Sequence, residues 1–462
     1  MGSETYQSPL TWRYGSDAMR HIWSESFKHL TWRKVWIALA QVQMNYGLVT
    51  ASQVAELEAH QAQIDRDQCA RIEAEIHHDL MAELKVYANQ CPDASRILHL
   101  GATSMDIEDN TDIIRLKQAI ELILKELRSL LSTLAGLIAD HARTTVMAFT
   151  HLQPAESTTL GYRFASYGQD LLEDYLSLKA ITNNLKGKGF KGAVGTRASY
   201  AELIGKDNLE EFEERLSEKL GIRFFEITSQ TYPRRQDYIL MCALAGLGAT
   251  LYKMAFDLRF LQTPPIGELS EPFYGKQVGS SAMPFKRNPI RSEKIDSLGR
   301  LLAQFPRVAW DNAAHSLLER TLDDSANRRS LLPEACLIAE EMVMTANTIF
   351  SGIKINLPAI DRDLSIYGPF AGIEKVLLAA VKKGADRQAM HELLRDHSMQ
   401  VWQVVQRGDP NPLVDQLVAD PEITRYLAPV ELLELLKVEN HIGDAPQRAQ
   451  AISTRIREII AA

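Results

Sequence analysis

Cysteine is scarce in this chain, and proline is missing from its middle. The four cysteines, Cys69, Cys91, Cys242 and Cys336, lie far apart and form no Cys-x-x-Cys pair. That spacing excludes a zinc ribbon and a disulfide framework, so no metal is expected, and it fits a reducing cytoplasm. No block of Lys and Arg stands out against the formal net charge of −8, which argues against nucleic acid as a partner. Long hydrophobic runs are lacking too. Residues 238–252 carry no charge, but these fifteen positions fall short of the roughly 20 needed to cross a bilayer, so no membrane partner is expected. The N-terminus has no basic, apolar leader, and Gly2 is followed by Tyr6 where a myristoylation motif needs Ser or Thr, so no lipid anchor is expected. Repeats and low-complexity segments are absent.

What is present is helical pattern. At 462 residues the chain exceeds one compact core. Between residues 112 and 262 only Pro154 and Pro233 occur, which permits three long helices. The first carries Ile113, Leu116, Ile120, Ile123, Leu127, Leu130, Leu134 and Leu137 at alternating three-four spacing, a bundle seam. Leu124, Leu131 and Ile138 add a second apolar face, which predicts several neighbours, from this chain or from others. The second helix starts near Thr158 and presents Leu160, Phe164, Tyr167, Leu171, Leu178 and Leu185. The third spans about 235–262, and Gly246 and Gly248 predict a central helix approached closely on all sides. Thr31 is expected to cap a helix ending at Gly47, Ser52 to start another, and Asn110 and Thr111 to cap the first long one. Further bundle helices are expected at 290–305 and 330–350. Past Asn356 seven of the eighteen prolines return, and short helices such as 373–383 follow. The fold class is therefore all-α, a long central helical bundle at 112–355 between smaller helical domains at 1–111 and 356–462. The surplus apolar face suggests association of identical chains.

Several polar stretches stand apart from this pattern. Residues 279–289 read Gly-Ser-Ser-Ala-Met-Pro-Phe-Lys-Arg-Asn-Pro, and Pro284 and Pro289 make this a loop. Lys286, Arg287 and Asn288 can grip an anion while Ser280 or Ser281 acts on a proton beside it. Arg13 and Tyr14 sit in a segment expected to be extended. His77-His78-Asp79 offers adjacent histidines that point apart on a helix, which disfavours a metal. Gly101, Thr103 and Ser104 mark a turn with free hydroxyls. Residues 187–192 match Gly-x-Gly-x-x-Gly but follow a helix rather than a strand, so a glycine-rich connector is expected and a dinucleotide site is not. Residues 319–329 hold more arginine than helix capping by Asp323, Asp324 or Ser325 requires, which points to phosphate.

The 279–289 loop resembles the signature loop of the fumarase/aspartase superfamily, and its Lys-Arg-Asn-Pro form is most similar to adenylosuccinate lyases. Arg13-Tyr14, His78-Asp79, Thr103-Ser104, Thr150-His151, Gln230 and the 320–329 stretch extend the resemblance over nearly the whole chain. It implies elimination of fumarate from adenylosuccinate and from the succinylated carboxamide ribotide SAICAR, without a cofactor, in a cytoplasmic homotetramer with shared sites. By the same resemblance Ser280 is the base, His151 the general acid, and Lys286 and Asn288 the stabilisers of the developing anion. His78 assists, and Glu293 orients His78 or the loop. Arg13, Tyr14, Arg320, Ser325 and Arg329 bind the phosphate and carboxylates. Gln230, Thr103 and Ser104 contact the succinyl or base portion, with Asp79, Thr150, Met283 and Lys294 completing the substrate contacts. His77 and Lys294 stand where the family often has arginine. The competing readings are an argininosuccinate lyase, a carboxymuconate-type cycloisomerase, and a non-catalytic helical assembly protein.

Overall fold

The computed structural model describes residues 4–461. The Gly2 reading lies outside them. The chain forms two compact units, each gathered from three separate stretches: 1–126, 174–249 and 297–343 make the first, and 127–173, 250–296 and 344–462 the second.

Capping explains the helices that open the first unit. Ser24 accepts from the Phe27 N–H and starts Glu25–Met44. Thr50 and Gln53 form a reciprocal capping box at Ala51–His60, and Asp65 caps Arg66–Ile76. Each satisfies an N–H that the first helical turn leaves without an acceptor. Two expected caps are therefore displaced. Thr31 lies inside a helix and donates to Phe27 O at 2.8 Å, and Ser52 is one residue past the true start. Gly47 does follow the end of its helix, at φ 72°, a conformation that favours glycine. The Arg13-Tyr14 segment is not extended. It follows a single 3-10 turn, Pro9–Thr11, and the Arg13 and Tyr14 N–H groups donate back to Pro9 O.

The long helices are Ser104–Asp140, Leu160–Asn184, Arg235–Leu261 and Ser325–Ser351. The first has 37 residues, about 55 Å at 1.5 Å per residue. It begins six residues, more than a turn and a half, before the expected cap at Asn110. Asn110 and Thr111 are interior helical residues, and both are fully buried. Its seam from Ile113 to Leu134 is buried, and so is the second face of Leu124, Leu131 and Ile138. One chain already covers both faces. Unsatisfied apolar surface lies elsewhere, including Ile239 and Phe256 on Arg235–Leu261 and the exposed Leu317, Leu318 and Leu322. The Arg235–Leu261 helix is thus covered along one stripe only, Leu240, Met241, Leu244, Leu247, Leu251 and Leu258, rather than on all sides. By length and hydropathy it and residues 357–382 are long and apolar enough to cross a membrane. The stripe is that of a helix packed in a protein core.

Strands are few. Thr145–Thr150 and Gln153–Thr159 form an antiparallel hairpin with a bulge between Met147 and Phe149. Lys186–Gly187 pairs parallel with Arg223–Phe224 for two residues only, too short to build a dinucleotide-binding sheet. The second unit closes with short helices whose own core includes Val376, Leu394, Leu413, Leu417 and Leu432.

Candidate active site

In the first unit a pocket gathers Asp79, Arg320, Ser325 and Arg329 from the sequence-predicted set. The arginines are not spare charge. Arg329 donates to Asp79 Oδ2 at 2.8 Å, and Arg320 to Asp324 Oδ1 at 2.7 Å. Burial works to raise the Asp79 carboxyl, but the Arg329 hydrogen bond and charge outweigh it and hold the group below its usual range. The same balance lowers Asp324, with Arg234, Arg328 and Arg320 opposing burial.

Lining residues not singled out from sequence include Glu108, Asp112, Arg115, Arg234 and Arg328. Arg328 donates to Asp237 Oδ2 at 2.9 Å and to the Tyr232 hydroxyl at 2.7 Å. Arg115 donates to Ile22 O at 2.9 Å and stacks 4.6 Å from the centroid of Trp23. A signal did exist. Met105, Glu108, Asp112 and Arg115 recur at three- and four-residue steps on one helix face, so charge interrupts a stripe that would otherwise read as seam.

His78 caps the helix Asp79–Gln90. The Met81 N–H points to its Nδ1 at 3.5 Å, and its Nε2 lies 3.3 Å from Ser104 Oγ. His77 precedes it at φ 54°, and this left-handed residue turns the chain so that the two rings diverge. Thr103 and Ser104 are held by the buried Asp106, which accepts from the Thr103 N–H at 3.0 Å and from Lys188 Nζ at 2.5 Å. The N–H groups of Lys191 and Gly192 also reach Asp106. The 187–192 stretch is therefore more than a connector: its buried lysine and amides fix the turn that presents Ser104 to His78. Asn110 grips Gly189 from both sides, accepting from its N–H at 3.0 Å and donating to its C=O at 3.1 Å. A Cβ on Gly187 would lie 2.3 Å from Asn110 Oδ1, so glycine is required there. Arg13 and Gln230 belong to the same unit but do not line the pocket, and neither does Tyr14. The Gln230 N–H donates to Glu319 O at 3.2 Å.

His29, Cys69 and Glu83 place ligand-type atoms within 4.8 Å of one another. Arg33 Nε donates to Glu83 Oε1 at 2.6 Å and supplies the positive charge. Burial pushes the Cys69 thiol up to about 12, so the cluster favours a protonated thiol over a metal-binding thiolate.

The second unit carries the signature loop and His151. Ser280 Oγ accepts from the Met283 N–H at 3.1 Å and the Ala282 N–H at 3.3 Å. Two amide donors aimed at one hydroxyl oxygen favour its ionised form. Asn288 Nδ2 donates to Gly279 O at 3.1 Å and closes the loop. A Cβ on Gly279 would meet Lys286 O at 2.0 Å. Glu271 caps the helix Ile290–Leu302, accepting from the Ser292 N–H at 2.6 Å, and anchors the loop's far end. Lys286, Met283 and Glu293 are exposed, and Lys294 is half-buried. Lys286 and Glu293 form no ion pair among the described residues.

His151 sits at the tip of the Thr145–Thr159 hairpin. It is the first residue of a two-residue hairpin turn set by the pairing of Thr150 with Gln153. His151 and Leu152 take φ 54° and 61°, both left-handed, in a turn type that favours Asn-Gly. Two non-glycine residues in that conformation are backbone strain spent on exposing the imidazole. His151 makes no hydrogen bond to Ser280 or Lys286 among the described residues.

A family model described as "Lyase" matches residues 13–301, and one described as "Adenylosuccinate lyase C-terminus" matches residues 370–452. The adenylosuccinate lyase of Schistosoma mansoni is 38% identical over 93% of this chain and 90% of its own length. That of Saccharomyces cerevisiae is 36% identical over 97% and 94%. The chain belongs to the adenylosuccinate lyase family. The adenylosuccinate lyase of Pyrococcus horikoshii is 34% identical over 98% of both chains, so the likeness spans distant sources at full length. A 3-carboxy-cis,cis-muconate lactonizing enzyme from Pseudomonas putida superposes with a TM-score of 0.87 at 24% identity, over 99% of this chain and 100% of that one. That likeness concerns the fold. As a member of the adenylosuccinate lyase family the chain is a lyase with the all-α architecture expected from its seams.

Proposed function

We propose that this chain eliminates fumarate from adenylosuccinate, giving AMP, and from SAICAR, giving AICAR. The carrying observation is the paired amide contact to Ser280 Oγ. A serine hydroxyl is a poor base unless its alkoxide is stabilised, and the Ala282 and Met283 N–H groups supply that stabilisation.

In this reading Ser280 removes the proton on the carbon next to a succinyl carboxylate. The electron pair moves into that carboxylate and leaves it doubly negative, where Lys286 and the second N–H of Asn288 stabilise it. The pair then returns to form the fumarate double bond as the C–N bond breaks, and His151 protonates the departing nitrogen. Arg320, Ser325 and Arg329, with Arg13 and Tyr14, receive the phosphate and carboxylates. His78 acts through its Nε2 on the substrate or on His151. Glu293 and Lys294 orient the loop, and Thr103, Ser104, Gln230, Asp79, Thr150 and Met283 contact the remainder. The chain acts as a cytoplasmic homotetramer in which His151 and Ser280 meet from different subunits. The exposed Ile239 and Phe256 on Arg235–Leu261, with Leu317, Leu318 and Leu322, support self-association.

Following fumarate formation in the ultraviolet with both succinylated nucleotides tests the reaction. Absence of release from either compound would refute it. Subunit sharing is tested by reassembling an equal mixture of His151→Ala and Ser280→Ala chains. Random symmetric mixing restores about one site in four. No recovery in confirmed hybrid tetramers would place both groups on one chain.

A further inference from the structure

The pocket of the first unit holds more acids than a site for a phosphate needs. Most are committed. Asp79 pairs with Arg329 at 2.8 Å and Asp112 with Arg328 at 3.2 Å, and behind them Asp109 pairs with Arg234 at 3.0 Å. Glu25 pairs with Lys28 at 2.6 Å. Glu108 lines the same pocket and has no hydrogen bond or ion pair of its own among the described residues. It stands one helical turn after Ser104 and one before Asp112, so it shares their face. Arg234 lines the same pocket and is nearly fully buried. Neither terminal nitrogen of Arg234 has a hydrogen-bond acceptor, despite the ion-pair contact to Asp109. The uncommitted carboxyl of Glu108 thus lines one pocket with Arg320, Arg328 and Arg329, the donors suited to an anion.

We propose that Glu108 is a further determinant of anion binding here, its carboxyl donating a hydrogen bond to a phosphate-monoester oxygen of the bound nucleotide. This rests on the nucleotide reading above. A carboxylate beside a phosphate dianion would repel it, whereas a carboxyl offers a donor. The surroundings favour the carboxyl. Burial, followed by the charges of Asp79, Asp112 and Asp109, pushes Glu108 up to about 8, with Arg329 opposing. The other charged groups of the pocket are Arg115 on the same helix, Glu25 and Lys28 on Glu25–Met44, and Arg234, Arg320 and Arg328. His78 caps the Asp79 helix nearby.

AMP binding measured by calorimetry between pH 7 and 9 tests the proposal. The second ionisation of the phosphate, near a pKa of about 6, is already about nine-tenths complete at pH 7, so the ligand's charge changes by only about a tenth of a unit over this range and in the direction that would favour binding to the arginines. Wild type should lose affinity about tenfold by pH 9, as the protonated fraction of Glu108 falls to roughly a tenth. Glu108→Gln keeps a neutral donor and should bind as tightly as wild type at pH 7, with no loss at pH 9. Glu108→Ala should be equally flat but weaker. Wild-type affinity unchanged at pH 9 overturns the proposal without any variant. So does Glu108→Gln with the wild-type slope, or Glu108→Ala as tight as Glu108→Gln. No AMP binding by wild type at any pH instead overturns the nucleotide reading, and this inference with it.

Discussion

The pocket of the first unit and the signature loop of the second solve opposite problems. The pocket is built from buried charge. Arg234, Arg328, Asp109 and Asp237 are all nearly inaccessible to water, and each faces an opposite charge whose loss would leave it stranded. The loop from Ser280 to Arg287 is almost bare. It is shaped by a few short-range bonds: two amides on Ser280, one amide side chain on Gly279 O, and the Gln262 side chain donating to Arg287 O at 3.0 Å. A site that recognises a fixed anion benefits from rigid, prepaired donors. A loop proposed to carry the base has few bonds to break if the substrate reshapes it. Damage to the first should therefore register in stability and affinity, and damage to the second in turnover.

Three substitutions sharpen that contrast. Ser280→Ala should lower kcat by about 1,000-fold or more while AMP still binds, because it removes a group used only in the transition state. Single-turnover fumarate release and AMP calorimetry read the two effects apart. Near-normal turnover, with the loss appearing in Ser281→Ala, would assign the base to the neighbouring serine. Arg328→Leu should cost about 3–5 kcal/mol of stability, the usual penalty for stranding a buried partner, here Asp237 and the Tyr232 hydroxyl. Urea unfolding measures it. A loss below about 1 kcal/mol would mean the network is not structural. Arg329→Leu, at a half-exposed side chain, should weaken AMP more than fumarate and change stability little. Equal weakening of both ligands would move Arg329 to the carboxylates.

The same variant carries a smaller pH signature. Asp79 titrates below its unfolded value because Arg329 outweighs burial. The stability it contributes is present above its unfolded pKa, near 3.9, and is lost as pH falls through the lower folded value. Wild type should thus exceed Arg329→Leu in stability at pH 6, and the gap should close in acid. A gap unchanged at pH 3 would show that the Asp79–Arg329 pair is not its source.

By itself the sequence determined the helical class and the extent of the third long helix, while it placed the start of the longest one several residues too late. The reason is that periodic burial is a local signal: proline-free stretches with three-four apolar spacing have few alternatives to packed helices. The expected third helix, 235–262, differs from the observed one by a single residue at its end. The 279–289 loop was legible because its prolines exclude a helix and its residue order is specific. Local chemistry also marked Gly47, yet capping was misplaced at Thr31, Ser52 and Asn110, since any Ser, Thr or Asn near a helix start offers the same side chain.

Tertiary structure decided what spacing cannot encode. It set His151 in a strained hairpin turn, because a β-ladder depends on partners along both strands. It turned residues 187–192 into a buried support for Thr103 and Ser104, since Asp106 lies 82 positions from Lys188. The apparent arginine surplus became a set of matched pairs drawn from distant segments. Glu108 stayed invisible for the same reason: a carboxyl on a helix face is ordinary until three-dimensional packing leaves it among other acids with no partner of its own.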